Sequence, residues 1–223
     1  MKYLIRTKWW KWLTMAILVY VVIGGFLFQV PRLPILNETI RVLQFHVPMW
    51  FGMLFLFLAS VIHAIKYLST GKVQNDIMSS QLAVVGVVFG ILGMITGMFW
   101  ATFTWGEPWS SDPKQNASAI GLLIYFAYFI LRGSIQDEQQ RAKISAVYNV
   151  FAFAALIPLL FILPRMTDSL HPGNGGNPGF NAYDLDSNLR KVFYTAVLGW
   201  TLLGFWIATI KIRYKLLLEK MDD

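Results

Sequence analysis

Six long stretches without charge divide this chain, and nothing else in it restricts the fold as severely. They run over residues 12–30, 47–65, 81–104, 117–131, 145–163 and 192–210. Most approach the ~20 residues that a helix needs to cross a hydrocarbon layer of ~30 Å. The fourth is the shortest, and Asn116 and Ser118 extend it. In lipid each spanning segment must satisfy its own backbone polar groups, so such stretches become helices. Only 14% of the residues are charged and 56% are hydrophobic, whereas a soluble domain carries roughly a quarter charged residues. The expected fold is an all-α integral membrane protein with six transmembrane helices, forming a single membrane domain over residues 1–223. The first stretch reads as a retained helix rather than a cleaved signal peptide. Gln29-Val30-Pro31-Arg32 follows it where a small-x-small cleavage site would stand.

The net charge of +7 is distributed unevenly. With the N-terminus in the cytoplasm, Arg32, Arg41, Lys114, Arg165, Arg190 and Lys191 fall outside, and the other thirteen of 19 basic residues fall inside. That bias follows the positive-inside rule and explains the basic balance without nucleic acid. Both termini are then cytoplasmic. The outward connections are residues 31–46, 105–116 and 164–191. In the first, Asn37 is expected to cap a short helix lying in the outer interface, with Ile40, Val42 and Leu43 along one side.

Cysteine is absent, which excludes disulfides, a thiolate nucleophile and Cys-ligated metal. Of three histidines, His46 stands at the outer mouth of the second helix, before Pro48, which suits a helix's first turn. A helix N-terminus disfavours imidazolium, so His46 tends toward the neutral, metal-ligating form. His171 lies in the third outer loop. His63 is seventeen residues beyond His46 on one helix, ~25 Å away at the other surface, and reads as an ordinary interfacial histidine. Two histidines on one side of the membrane raise the case for a metal site above what either supports alone.

The second outer connection reads Trp105-Gly106-Glu107-Pro108-Trp109-Ser110-Ser111-Asp112-Pro113-Lys114, shortly after Thr96-Gly97-Met98-Phe99-Trp100. An aromatic belt explains Trp100 alone. Trp100, Trp105 and Trp109 together with Gly106, Asp112 and Lys114 suit a flat, apolar, partly charged ligand, with Lys114 for a carboxylate. Gly86, Gly90, Gly93 and Gly97 share one face of the third helix. Close helix packing is the preferred explanation, and a slot for a planar ligand is the alternative.

These residues together resemble the CcmC-type haem-handling proteins of cytochrome c maturation, within the CcmC/CcmF/CcsA group named for its WWD loop. Trp105, Gly106, Trp109 and Asp112 fall in register with that motif, with Lys114 where Arg is usual and Pro108 and Ser111 where Trp is usual. Thr96, Gly97 and Trp100 match its upstream part, His46-Val47-Pro48 the H-V-P motif, and Leu170-His171 the third-loop motif. The resemblance implies a chain in the bacterial cytoplasmic (inner) membrane that binds haem b. His46 and His171 would be the axial ligands, with Trp105 and Trp109 near the porphyrin and Lys114 toward a propionate. It implies handover to a periplasmic, membrane-anchored haem chaperone of the CcmE type, with an ABC transporter complex of the CcmAB type driving release. Two imidazoles leave no open iron site, which suits carriage rather than oxygen chemistry. The glycines and prolines after His171 (Pro172, Gly173, Gly175, Gly176, Pro178 and Gly179) suggest that this ligand is the mobile one.

A b-type cytochrome for electron transfer is the main alternative, but His46 and His63 share one helix and point ~100° apart. A transporter would carry ionisable groups within its spans, and these have almost none. No nucleophile–base pair or carboxylate pair marks an enzyme, so no catalysis is expected.

Overall fold

In the computed structural model, which describes residues 7–32, 36–171 and 187–222, every apolar stretch is helical. The helices are α1 (Trp9–Leu27), α2 (Leu43–Thr70), α3 (Val73–Trp105), α4 (Pro113–Ser134), α5 (Glu138–Ile157) and α6 (Ser187–Asp222). No strand occurs among the described residues. All six columns are long and apolar enough to cross a membrane. Their outward faces carry residues such as Phe99, Leu123, Ile130 and Phe151, each more than 60% exposed, as a lipid-facing surface requires.

α2 is the centre of the bundle. It packs most extensively on α3 and also touches α5 and α6, while α1 lies outside against α6. The α2–α3 hairpin is tight because Gly71 takes φ +67 and ends α2, its N–H bonding to Tyr67 O at 2.8 Å. The glycine face of α3 then lets α2 approach. A β-carbon on Gly86 would lie 2.5 Å from Phe57, one on Gly90 2.5 Å from Leu122, and one on Gly93 2.9 Å from Trp50. These glycines seat the rings of α2 and a leucine of α4, so the packing explanation holds over this stretch. Phe57 in turn stacks on Tyr125 of α4, with centroids 3.6 Å apart.

Several boundaries differ from expectation. α1 stops at Leu27, because Phe28 turns extended. Arg41 takes up two carbonyls at this end, donating from Nη1 to Gly25 O (3.0 Å) and Phe28 O (2.8 Å). α2 starts at Leu43 and continues directly from a 3-10 turn over Asn37–Val42, so Pro48 is inside the helix rather than in its first turn. Proline lacks the N–H that would bond the Gln44 carbonyl, and the helix runs on through this one missing bond. Asn37 does not cap this turn; it lies within it at φ +44, after Leu36. Ile40 is buried against Leu189 and Phe193 of α6, so the short helix packs on protein rather than lying in the interface. At the far end of α5, Pro158 ends the α-helical ladder and a π-helical turn over Pro158–Ile162 continues the span.

The spans are not wholly without charge. Near the end opposite His46, Asp76 of α3 and Arg132 of α4 form a two-pronged ion pair. Deeper in, the Asn149 amide of α5 donates to Ser60 Oγ (2.7 Å) and Ser79 Oγ (3.0 Å), tying three helices together.

Candidate functional site

His46 is the fourth residue of α2 and faces α3. Its Nδ1 lies 2.9 Å from Gly93 O and 3.2 Å from Thr96 Oγ1. A carbonyl only accepts, so Nδ1 carries the hydrogen and Nε2 keeps its lone pair. The ring rests on Gly97, where a β-carbon would approach Cε1 to 2.6 Å. Trp50, one turn along α2, meets the imidazole edge-on.

His171 reaches the same end of α3 from the third long connection. Its Nδ1 lies 2.9 Å from Asp112 Oδ1. A carboxylate is the acceptor there too, so in the neutral ring Nε2 of His171 is again the nitrogen left for a ligand. No described residue hydrogen-bonds to Nε2 of either histidine. Trp105 meets His171 edge-on at 4.7 Å, and Trp100 lies 6.2 Å from it and 5.1 Å from Trp105. Trp100 stands one helical turn, ~5 Å, beyond Thr96 and Gly97, which hold His46. Both imidazoles therefore adjoin residues 93–105, roughly the last four turns of α3. His63 is at the other end of α2, beside Asn75 Oδ1 at 3.2 Å.

The connection between α3 and α4 has a defined shape. Gly106 takes φ +87 and ends α3. Ser111, also left-handed at φ +56, turns the chain into α4. Asp112 is the N-cap, accepting from Lys114 N–H at 2.8 Å, and Pro113 follows in the first turn. Gln115 reaches back over the loop: Oε1 accepts from the Ser110 N–H (3.0 Å) and hydroxyl (3.2 Å), and Nε2 donates to Pro108 O (3.2 Å). Asn116 donates to Ser111 O.

Asp112 is the hub. Besides Lys114 N–H and His171, it accepts from the Ser169 hydroxyl (3.1 Å) and Leu170 N–H (2.7 Å). Its side chain is 1% exposed. Burial alone raises a carboxyl pKa, but the bonds from His171, Leu170 N–H and Ser169 outweigh it and hold Asp112 well below the ordinary range.

Of the residues expected from sequence, Trp100, Trp105, Asp112 and His171 form one contact group, with His46 a turn away. Gly106 and Trp109 lie in the loop and Lys114 in the first turn of α4; Trp109 is half-buried and makes no ring contact with the histidines. Pro172, Gly173, Gly175, Gly176, Pro178 and Gly179, invoked for a mobile ligand, lie outside the described residues. Sequence reasoning missed Gln115 as a loop clamp and the Nδ1 anchors of both histidines. The Asp-Pro pair at a helix start was the available signal for the cap.

Fold and site together define a multi-pass helical membrane protein that gathers two ligand-ready imidazoles and an indole cluster at one end of its bundle. The family model described as Heme exporter protein C (CcmC) matches residues 2–223, and the chain belongs to that family. It is 24% identical over 156 residues to Heme exporter protein C of Rhodobacter capsulatus, covering 68% of this chain and 62% of the relative. It is 36% identical over 87 residues to the cytochrome c biogenesis protein CcsA of Parasynechococcus marenigrum, covering 39% of this chain and 28% of that one. A putative cytochrome c biosynthesis ccmC-like mitochondrial protein of Marchantia polymorpha is 26% identical over 135 residues, covering 60% of this chain and 56% of the relative. The chain thus spans about three-fifths of the Rhodobacter relative and about a quarter of the CcsA relative.

Proposed function

We propose that this protein serves cytochrome c maturation by holding haem between His46 and His171 and passing it on. One observation carries the reading. Each histidine has Nδ1 against a fixed acceptor, Gly93 O or Asp112, an arrangement that leaves Nε2 of the neutral ring for a metal. Metal-bound histidines characteristically tie their second nitrogen in this way. Trp100 and Trp105 supply flat apolar surface beside His171. Family membership and the names of the relatives support haem as the cargo. The haem is of the b type, held by coordination and packing alone. Trp109 of the loop and Lys114 at the start of α4 serve the porphyrin edge and a propionate.

The histidine end faces the periplasm across the bacterial inner membrane, as the excess of basic residues at the other end supports. Haem passes from there to a membrane-anchored chaperone of the CcmE type, with an ABC transporter complex of the CcmAB type driving release. The protein acts as a carrier and not as an enzyme: both imidazoles are committed to holding a planar metal complex, and the indoles beside them pack against it.

The test is a visible spectrum of detergent-purified protein supplied with haem. The parent is expected to show a bis-imidazole Soret band, altered in His46→Ala and in His171→Ala and unchanged in His63→Ala. Colourless parent, or colour that survives loss of both His46 and His171, refutes the reading.

A further inference from the structure

The four donors converging on Asp112 come from two separate parts of the chain. Lys114 N–H belongs to the first turn of α4; Ser169, Leu170 and His171 belong to the first part of the third long connection. Oδ1 receives Lys114 N–H, the Ser169 hydroxyl and His171 Nδ1–H, and Oδ2 receives Leu170 N–H. With 1% of its side chain exposed and both oxygens engaged, Asp112 offers no surface to a flat ligand.

Resting on the proposed haem site, we infer that Asp112 is a positioning residue that acts through His171 and makes no contact with haem. It holds the imidazole as the Nδ1–H tautomer, aims Nε2 at the iron position and, by its charge, strengthens Nε2 as a donor. The chemistry is that of a carboxylate behind a metal-bound histidine: a negative acceptor on Nδ1–H raises electron density at the ligating nitrogen. His46 has the weaker arrangement, a neutral carbonyl and a hydroxyl. The two ligands are therefore unequal. His171 is the stronger donor, and its orientation depends on one side chain that also starts α4.

The test uses the full chain in detergent, with Asp112→Ser and Asp112→Asn. Serine keeps an N-cap for α4 but removes the carboxylate, and asparagine keeps an acceptor without the charge. Three measurements are made: the tautomer of each of the three histidines by long-range proton–nitrogen NMR on haem-free protein, haem affinity, and midpoint potential. The parent is expected to show His171 as Nδ1–H. Asp112→Ser should mix the tautomers and lower haem affinity by ~10–100-fold, the range seen for loss of such partners. Asp112→Asn should keep the tautomer and raise the potential, by ~59 mV for each tenfold loss of preference for the ferric form. His63→Ala should leave the His46 and His171 tautomers, the affinity and the potential unchanged.

An unaltered tautomer and potential in both variants overturns the inference. So does loss of haem that only tracks loss of helicity, with the His171 tautomer intact in Asp112→Ser. If parent protein fails to bind haem, or His171→Ala keeps the parent spectrum, the haem reading is what fails. The NMR arm, which needs no haem, then still decides whether Asp112 sets the imidazole.

Discussion

Adding one methyl group to Gly97 should weaken the proposed haem site while leaving the bundle folded. The β-carbon of Gly97→Ala would stand 2.6 Å from His46 Cε1 and 3.2 Å from Nδ1. The first distance falls short of ordinary contact, which begins near 3.4 Å, by about 0.8 Å. The ring cannot absorb this freely, because Nδ1 is already 2.9 Å from Gly93 O. A displacement of that size takes the bond beyond the ~3.2 Å limit of a good N–H···O interaction if directed along it. Overpacking of this kind costs ~1–3 kcal/mol, of which the better helix propensity of alanine offsets up to ~1 kcal/mol. The protein should therefore keep its helicity, with haem affinity lowered ~10–100-fold, as when the anchor of a metal-bound histidine is lost. Gly133→Ala is the control, since nothing lies within 4 Å of its β-carbon. Haem titration followed at the Soret band, alongside circular dichroism melts, makes the measurement. Parent affinity in Gly97→Ala would show that His46 is not held by the glycine face of α3 in the way argued.

Other perturbations test the bundle and the loop. Asp76→Ala or Arg132→Ala leaves a partly buried charge without its ionic partner and should destabilise by less than the ~3–5 kcal/mol of a fully buried pair, whereas Asp76→Leu with Arg132→Met should recover most of the loss in thermal melts. Tyr125→Phe should be neutral or stabilising by up to ~1 kcal/mol, because the Tyr125 hydroxyl is buried with no hydrogen-bond partner among the described residues. Gln115→Ala removes three hydrogen bonds from the 108–110 loop. At ~1 kcal/mol for each bond, its transfer of haem to apomyoglobin should speed up at least ~5-fold, with no change in Soret position.

The spans were legible in the sequence because a bilayer demands length and apolarity, and residues 81–104 or 145–163 supply both without interruption. The helix ends were less so. Pro48 signalled a first turn, yet packing of Ile40 on Leu189 and Phe193 extends the helical column upstream and carries the proline inside. His46, His171 and the tryptophans were readable from their motifs and their common side. What holds the histidines was not readable. Gly93 O is a backbone atom that any residue provides, and it becomes a partner of His46 only through the register of α2 on α3. Asp112 could be read as part of a motif, but its bonds to Ser169, Leu170 and His171 cross more than fifty positions, and no local pattern encodes them. Asp76 and Arg132, likewise, are single charges near helix ends until α3 and α4 are brought together.

The two histidines are tethered to structures of different stiffness, which bears on how a carrier lets go. His46 leans on the α2–α3 contact. Moving it means separating helices whose glycines seat Trp50 and Phe57 with no spare room. His171 leans on Asp112, at the junction of an exposed loop with the first turn of α4; Gly106, Glu107 and Pro108 of that loop face solvent. A partner pressing on residues 106–111 reaches Asp112 through Gln115 and the α4 cap without disturbing α2. On the proposed reading, the bond released first is therefore the one to His171, although its nitrogen is the stronger donor. Strength of ligation and ease of removal come from different atoms: the first from the charge behind Nδ1, the second from the loop that carries that charge. On that reading the site holds haem firmly at rest and surrenders it to a contact made on the exposed loop, away from both imidazoles.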